Sequence, residues 1–122
     1  MPESVRRKVV IIDDDEGVRK SLRTLLEVTG HLVETFESAV SFLHSESKHL
    51  ACLILDHHMP RMTGLELVER LREDGSRIPI LLMTGLPTST ILARASDLGV
   101  DQVLAKPFDE GHLLRFVDAA HA

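Results

Sequence analysis

At 122 residues and 43% apolar composition, the chain fits one compact domain with a hydrophobic core of its own, and a formal charge of −5 speaks against a nucleic-acid-binding surface. The single cysteine, Cys52, excludes an internal disulfide and fits a reducing compartment. No apolar run approaches the roughly 18 residues of a membrane span, and the start of the chain lacks a signal-peptide core, so the expectation is a soluble, cytoplasmic protein without membrane contact.

The basic residues Arg6, Arg7 and Lys8 lead into Val9-Val10-Ile11-Ile12, a β-branched first strand that ends in Asp13, Asp14 and Asp15. Helical periodicity follows, with Val18, Leu22, Leu25 and Leu26 on one stripe and Gly30 as the stop. His31 to Phe36 is less apolar and predicts a strand nearer an edge. Ser38 has the character of an N-cap for a second helix carrying Ala39, Phe42 and Leu43. A polar link from His44 to His49 leads to the apolar run Ala51 to Leu55, in which Cys52 reads as a buried small hydrophobe. That run ends at Asp56, followed by His57-His58-Met59-Pro60 and Gly64. Pro fixes φ and Gly permits unusual backbone, so these two bracket a loop before a third helix. That helix runs from Gly64 to Asp74 with Leu67, Val68 and Leu71 inward, and Glu66 and Arg70 stand four apart in the favourable order. Ile80 to Met83 is a fourth strand ending at Thr84-Gly85. A fourth helix from Thr88 carries Ile91, Ala95 and Leu98, and Val103 to Ala105 is a fifth strand ending at Lys106-Pro107. The last helix starts near Asp109 with Leu113, Val117 and Ala120 inward.

Strands and helices alternate five times with short links, which predicts a single α/β domain: a parallel sheet with helices on both faces. The strand ends supply Asp13 and Asp14, Asp56, Thr84 and Lys106. In a parallel sheet these ends share one edge, so residues distant in sequence meet in one crevice. Two like unit charges about 4 Å apart repel by roughly 4 kcal/mol at an effective dielectric of 20. Three carboxylates there take up protons or recruit a cation, and a hard divalent ion such as Mg²⁺ or Mn²⁺ suits oxygen ligands. Lys106 supplies a positive charge for a phosphate oxygen, Thr84 a hydroxyl, and Gly85 leaves room for a ligand. The set describes a metal-dependent phosphoryl site with a nucleophilic carboxylate.

This pattern resembles the receiver domain of two-component response regulators, from about Lys8 to Ala120. The matching residues are Ile11-Ile12-Asp13-Asp14, Leu55-Asp56 with Met59-Pro60 and Gly64, Met83-Thr84-Gly85, and Lys106-Pro107-Phe108. The resemblance implies a flavodoxin-like (βα)5 doubly wound sheet of five parallel strands in the order 2-1-3-4-5, occupying residues 1–122 as one domain. It implies that Asp56 accepts a phosphoryl group from a phosphohistidine of a sensor histidine kinase or a histidine phosphotransfer protein. Asp13, Asp14, Asp56 and the backbone carbonyl of His58 would hold Mg²⁺, and Thr84 and Lys106 would contact the phosphoryl oxygens. The Lys106-Pro107 bond is expected to be cis. Output to an effector domain or target protein, and homodimerisation, would use the fourth helix, fifth strand and fifth helix, unless Ile91 and Leu92 pack inward.

Two features depart from the family pattern. Val103 stands where an aromatic rotamer switch is common, three before the lysine, which leaves that device without its side chain. His57 and His58 follow the acceptor; they read either as two loop histidines partly in water, or with His58 influencing phosphoryl lifetime. The remaining histidines read as surface residues, and Asp15 as lying beside the site or capping the first helix. Two rival readings stand beside the receiver. Asp13-Asp14-Asp15 resembles the opening of haloacid-dehalogenase-type phosphatases, with Asp13 as nucleophile and Asp15 as general acid/base. A receiver-like module that no longer takes phosphate is the other.

Overall fold

The computed structural model describes residues 6–121. The reading of the first residues as lacking a signal-peptide core therefore falls partly outside the described residues. In chain order the elements are β1 (Lys8–Ile12), α1 (Glu16–Val28), β2 (Leu32–Phe36), α2 (Ala39–His44), β3 (Leu50–Asp56), α3 (Gly64–Glu73), β4 (Ile80–Thr84), α4 (Ser89–Asp97), β5 (Gln102–Ala105) and α5 (Glu110–Ala120). All strand pairs are parallel, in the order β2-β1-β3-β4-β5. This is the expected flavodoxin-like (βα)5 fold, with the less apolar β2 at one edge and β5 at the other.

Because the side-chain period of a strand is two, each central strand feeds both faces of the sheet. Val9 and Ile11 of β1, Ile54 of β3, and Leu81 and Met83 of β4 pack with Leu22 and Leu26 of α1 and Leu113, Phe116 and Val117 of α5. Val10, Ile12, Leu53, Leu55, Ile80 and Leu82 pack on the opposite side with Ala39 and Phe42 of α2, Leu65, Leu67 and Val68 of α3, and Ala95 of α4. A register shift between Lys8 and Val9 puts Cys52 opposite Val9, and the cysteine is buried as expected. Burying one such aliphatic side chain stabilises by about 1.5–3 kcal/mol, so the three central strands form the rigid part of the molecule.

Each of the five helices begins with a side-chain cap. Asp15, Ser38, Thr63, Thr88 and Asp109 each accept a hydrogen bond from a backbone N–H in the first turn. Such a cap contributes about 1 kcal/mol by satisfying a donor that the helix leaves free. Of the two places open to Asp15, the structure takes the cap of α1, its Oδ1 accepting from Val18 N–H at 3.1 Å.

Two local expectations are corrected. Glu66 does not pair with Arg70; its carboxylate accepts the Thr63 N–H at 2.8 Å while the Thr63 hydroxyl accepts the Glu66 N–H, a reciprocal capping box. Backbone donors within one turn outcompete a solvated ion pair. His31 is not a free surface residue: its ring is largely covered, lies 3.3 Å from Asp118 and stacks on His121 at a centroid distance of 5.0 Å. The basic lead-in is structural, since Arg6 donates to the Gly30 carbonyl, Arg7 to that of Ala120, and Lys8 pairs with Glu34. At the opposite end of the sheet from the strand tips, Arg72 donates to the carbonyls of Ser76, Ile78, Leu98 and Gly99, clasping the ends of α3 and α4 together.

Candidate functional site at the carboxyl edge of the sheet

The three central strands deliver their last residues to one spot. Asp13 follows β1 directly and is almost fully buried, its backbone N–H continuing the sheet by donating to the Phe36 carbonyl. Asp56 ends β3, is 4% exposed, and lies in register with Met83 of β4. Asp14 is exposed at the rim. Carboxylate oxygens of Asp13, Asp14 and Asp56 all lie within 4.8 Å of one another. Lys106, which follows β5, reaches across the crevice: its Nζ is 3.0 Å from Asp56 Oδ1 and 3.4 Å from Asp13 Oδ2. The Lys106-Pro107 bond is cis, as expected. Thr84 ends β4 fully buried, and Lys106 N–H donates to its carbonyl at 2.8 Å, which fixes the lysine's stem to the strand.

The charges bear most on Asp13 and Lys106. Burial foremost, and then the Asp56 charge, hold the Asp13 carboxyl above its ordinary range, against the Asp15 N–H and Lys106, which favour its ionised form. For Lys106, burial is the largest influence and works against the ammonium. The Asp56 bond and the charges of both aspartates together outweigh it and hold the group above its usual value. A buried acid pair with one intruding cation is therefore under-neutralised. Its donor set, three carboxylates offering hard oxygens at close quarters, fits a divalent cation of the Mg²⁺ class.

The carboxylates of Asp13, Asp14 and Asp56 and the ammonium of Lys106 converge here, with Thr84 at the tip of the adjacent β4, and four further contacts were not foreseen. Arg19 of α1 donates to the Asp13 carbonyl at 2.7 Å, tying helix to strand tip. Gly64, read as one bracket of a loop, is the first residue of α3 and packs directly on the site: a Cβ there would lie 2.6 Å from the Asp56 carbonyl oxygen. His57 corrects the reading of two histidines partly in water. It is buried, and its Nδ1 accepts the Leu65 N–H at 3.3 Å, anchoring the start of α3. Burial, followed by the neighbouring His58 and Arg94, lowers its pKa. His58 is exposed, and its Nε2 lies 3.0 Å from Thr84 Oγ1. A Cβ at Gly85 would meet nothing within 4 Å, in keeping with the open space expected there.

The family model of the response regulator receiver domain matches residues 9–118. The chain belongs to this family. It is a receiver domain of two-component response regulators, and receiver domains bind Mg²⁺ at an acidic pocket. This receiver is 37% identical over 121 residues to the transcriptional regulatory protein FixJ of Azorhizobium caulinodans, covering 98% of the chain and 56% of that protein. It is 37% identical over 113 residues to the response regulator protein TodT of Pseudomonas putida, covering 92% of the chain and 50% of that protein. The receiver thus spans about half the length of these curated relatives. The crystal structure of FixJ-N superposes with a TM-score of 0.84 at 30% identity, covering 96% of this chain and 94% of that one.

Membership sets the phosphatase reading aside. Asp15, its general acid/base, is committed to the cap of α1. Among the described residues no helix is long and apolar enough to cross a membrane.

Proposed function

We propose that this receiver accepts a phosphoryl group on Asp56 from a phosphohistidine of a sensor histidine kinase or histidine phosphotransfer protein. The observation that carries the reading is the position of Asp56: it ends β3, the middle strand of the sheet, and of the two buried acids it lies nearer the Lys106 ammonium, at 3.0 Å against 3.4 Å for Asp13. An Asp56 Oδ attacks phosphorus, the P–N bond to the donor's imidazole breaks, and its electron pair returns to that ring nitrogen. The product is an acyl phosphate on Asp56. Lys106 neutralises charge on the transferred oxygens, and Thr84 donates its hydroxyl to one of them.

Asp13, Asp14, Asp56 and the His58 backbone carbonyl would hold Mg²⁺, or Mn²⁺ in its place. The backbone bonds in this loop use the His57 carbonyl twice and leave that of His58 unused, in keeping with a ligand role. The bound ion supplies the charge neutralisation that lets an anionic phosphoryl group approach anionic carboxylates. Asp13 keeps its side chain oriented by accepting the Asp15 N–H at 2.9 Å.

The domain is a switched phosphoacceptor rather than a turnover enzyme, residues 1–122 act as one receiver unit, and the exchange takes place in the cytoplasm. Its output runs through α4, β5 and α5 to an effector domain or target protein, or to a second copy, without direct nucleic-acid contact. Leu86 and Leu92 support that surface, 66% and 44% exposed in the loop before α4 and in α4 itself, while Ile91 packs partly inward.

The test is incubation with acetyl phosphate and Mg²⁺ followed by intact-mass measurement. The wild type gains one phosphoryl mass, Asp56→Asn gains none, and omission of the metal suppresses labelling. No added mass on the folded wild type would leave a phosphate-inert interaction module.

A further inference from the structure

Thr84 is fully buried, yet its hydroxyl is already engaged twice. Leu86 N–H donates to Oγ1 at 3.1 Å, and Nε2 of His58 lies 3.0 Å from the same oxygen, from a loop 26 positions earlier. A hydroxyl offers one proton and two lone pairs, and Leu86 takes one of the latter. Where Nε2 is bare, the ring takes the only proton. Where Nε2 carries hydrogen, it takes the second lone pair. In both tautomers the oxygen is pinned against the imidazole.

The ring itself is braced. His57 meets it edge-on, with centroids 4.9 Å apart and planes at 74°, and His57 is fixed in turn by the Leu65 N–H at the start of α3. A chain of contacts thus runs from the N-terminus of α3, through two imidazoles, to the side chain at the tip of β4.

We propose that His58 is a positioning residue that holds the Thr84 hydroxyl in the resting arrangement, so that a phosphoryl group on Asp56 must draw the hydroxyl off the ring. This rests on the assignment of Asp56 as phosphoacceptor and Thr84 as phosphoryl contact. The resting state keeps a hydrogen bond that the loaded state gives up, and the latch biases the two-state equilibrium toward rest. Because the ring acts and the backbone carbonyl does not, replacing the side chain leaves the proposed metal ligand in place. One neutral hydrogen bond corresponds to a bias of about two- to tenfold.

The experiment uses beryllofluoride with Mg²⁺ as a phosphoryl mimic, with affinity measured by calorimetry, and imidazole ¹⁵N and Leu86 amide resonances recorded on metal-free protein. His58→Phe keeps ring bulk and removes Nε2. It binds beryllofluoride about two- to tenfold more tightly than wild type, and the gain vanishes when both proteins also carry Thr84→Ala. His58→Gln, which restores a polar partner, returns toward wild type. In metal-free protein with His58 intact, Thr84→Ala moves the His58 Nε2 resonance from its wild-type position. Equal affinity of His58→Phe and wild type, a gain that survives Thr84→Ala, or a His58 ring insensitive to Thr84→Ala each overturns the latch. Failure of wild type to take beryllofluoride, together with no label on Asp56 from acetyl phosphate, overturns the phosphoacceptor assignment itself and the latch with it.

Discussion

The ammonium of Lys106 stands 3.0 Å from Asp56 Oδ1 and also touches Asp13, so one cation from the sheet's edge serves two buried acids from its centre. That cation occupies electrostatic ground which a divalent ion also claims. Lys106→Met therefore makes the acid pocket more negative. Magnesium binds the variant about two- to fivefold more tightly, the size expected for one half-exposed charge pair. The chain has no tryptophan, so calorimetry is the measurement; unchanged or weaker binding would contradict the arrangement.

Asp13 gives a pH dependence with a definite sign. Burial first, and the Asp56 charge next, raise its folded pKa above the ordinary 3.8. A raised carboxyl pKa means the fold holds the proton more tightly than the unfolded chain does. The associated stability is complete below 3.8 and is lost as pH rises through the higher folded value. Asp13→Asn escapes that loss. Without metal at neutral pH the variant melts higher than wild type, by about 3–5 °C if the change is near 1 kcal/mol. Scanning calorimetry shows the gap closing as pH falls below 3.8, and saturating Mg²⁺ at neutral pH reverses the order.

Gly64 tests the packing of α3 on the site. Its added Cβ would meet the Asp56 carbonyl at 2.6 Å, and His57 Cα and Leu82 Cδ1 each at 2.9 Å. Two of these are backbone and cannot turn aside. Gly64→Ala is expected to cost about 2–3 kcal/mol, read from the urea midpoint, although alanine is ordinarily the better helix former. The same variant displaces the strand tip and slows labelling of Asp56 by acetyl phosphate.

Cys52 offers a reporter of global opening. Burial pushes its thiol pKa up to about 12, and its side chain has no solvent exposure. In the native domain a thiol reagent at mildly alkaline pH leaves it unmodified over the time in which free cysteine reacts fully. Modification then follows the unfolding transition in urea, and a fast native-state reaction would show that β3 opens locally.

The parallel sheet was legible because β-branched and aliphatic runs ending in Asp13, Asp56 and Thr84 alternate with helical stripes, while the strand order came from the family resemblance and not from the runs themselves. The helix starts were legible at Ser38 and Thr88, where a capping side chain precedes an apolar stripe. At Thr63 the same signal was present, since threonine followed three residues later by Glu66 is a capping-box pattern; reading Glu66 with Arg70 overlooked it. The histidines were not legible. Whether a side chain after a strand turns into the core, as His57 does, or along the rim to Thr84, as His58 does, depends on backbone that no periodicity encodes. Arg72 and Arg19 escaped for a related reason. Their partners are backbone carbonyls, which every residue has, so no sequence pattern announces them.

The acids and the base of this crevice are mounted on unequal footings. Asp13 and Asp56 stand on β1 and β3, whose residues from Val9 to Ile12 and from Ala51 to Leu55 are sealed from solvent, whereas Lys106 hangs from the four-residue, half-covered β5. An incoming group that pulls on both sides will find an anvil under one hand and a hinge under the other. On those footings the proposed acceptance of a phosphoryl group would be felt first at the margin of the sheet, because the middle is packed on both faces.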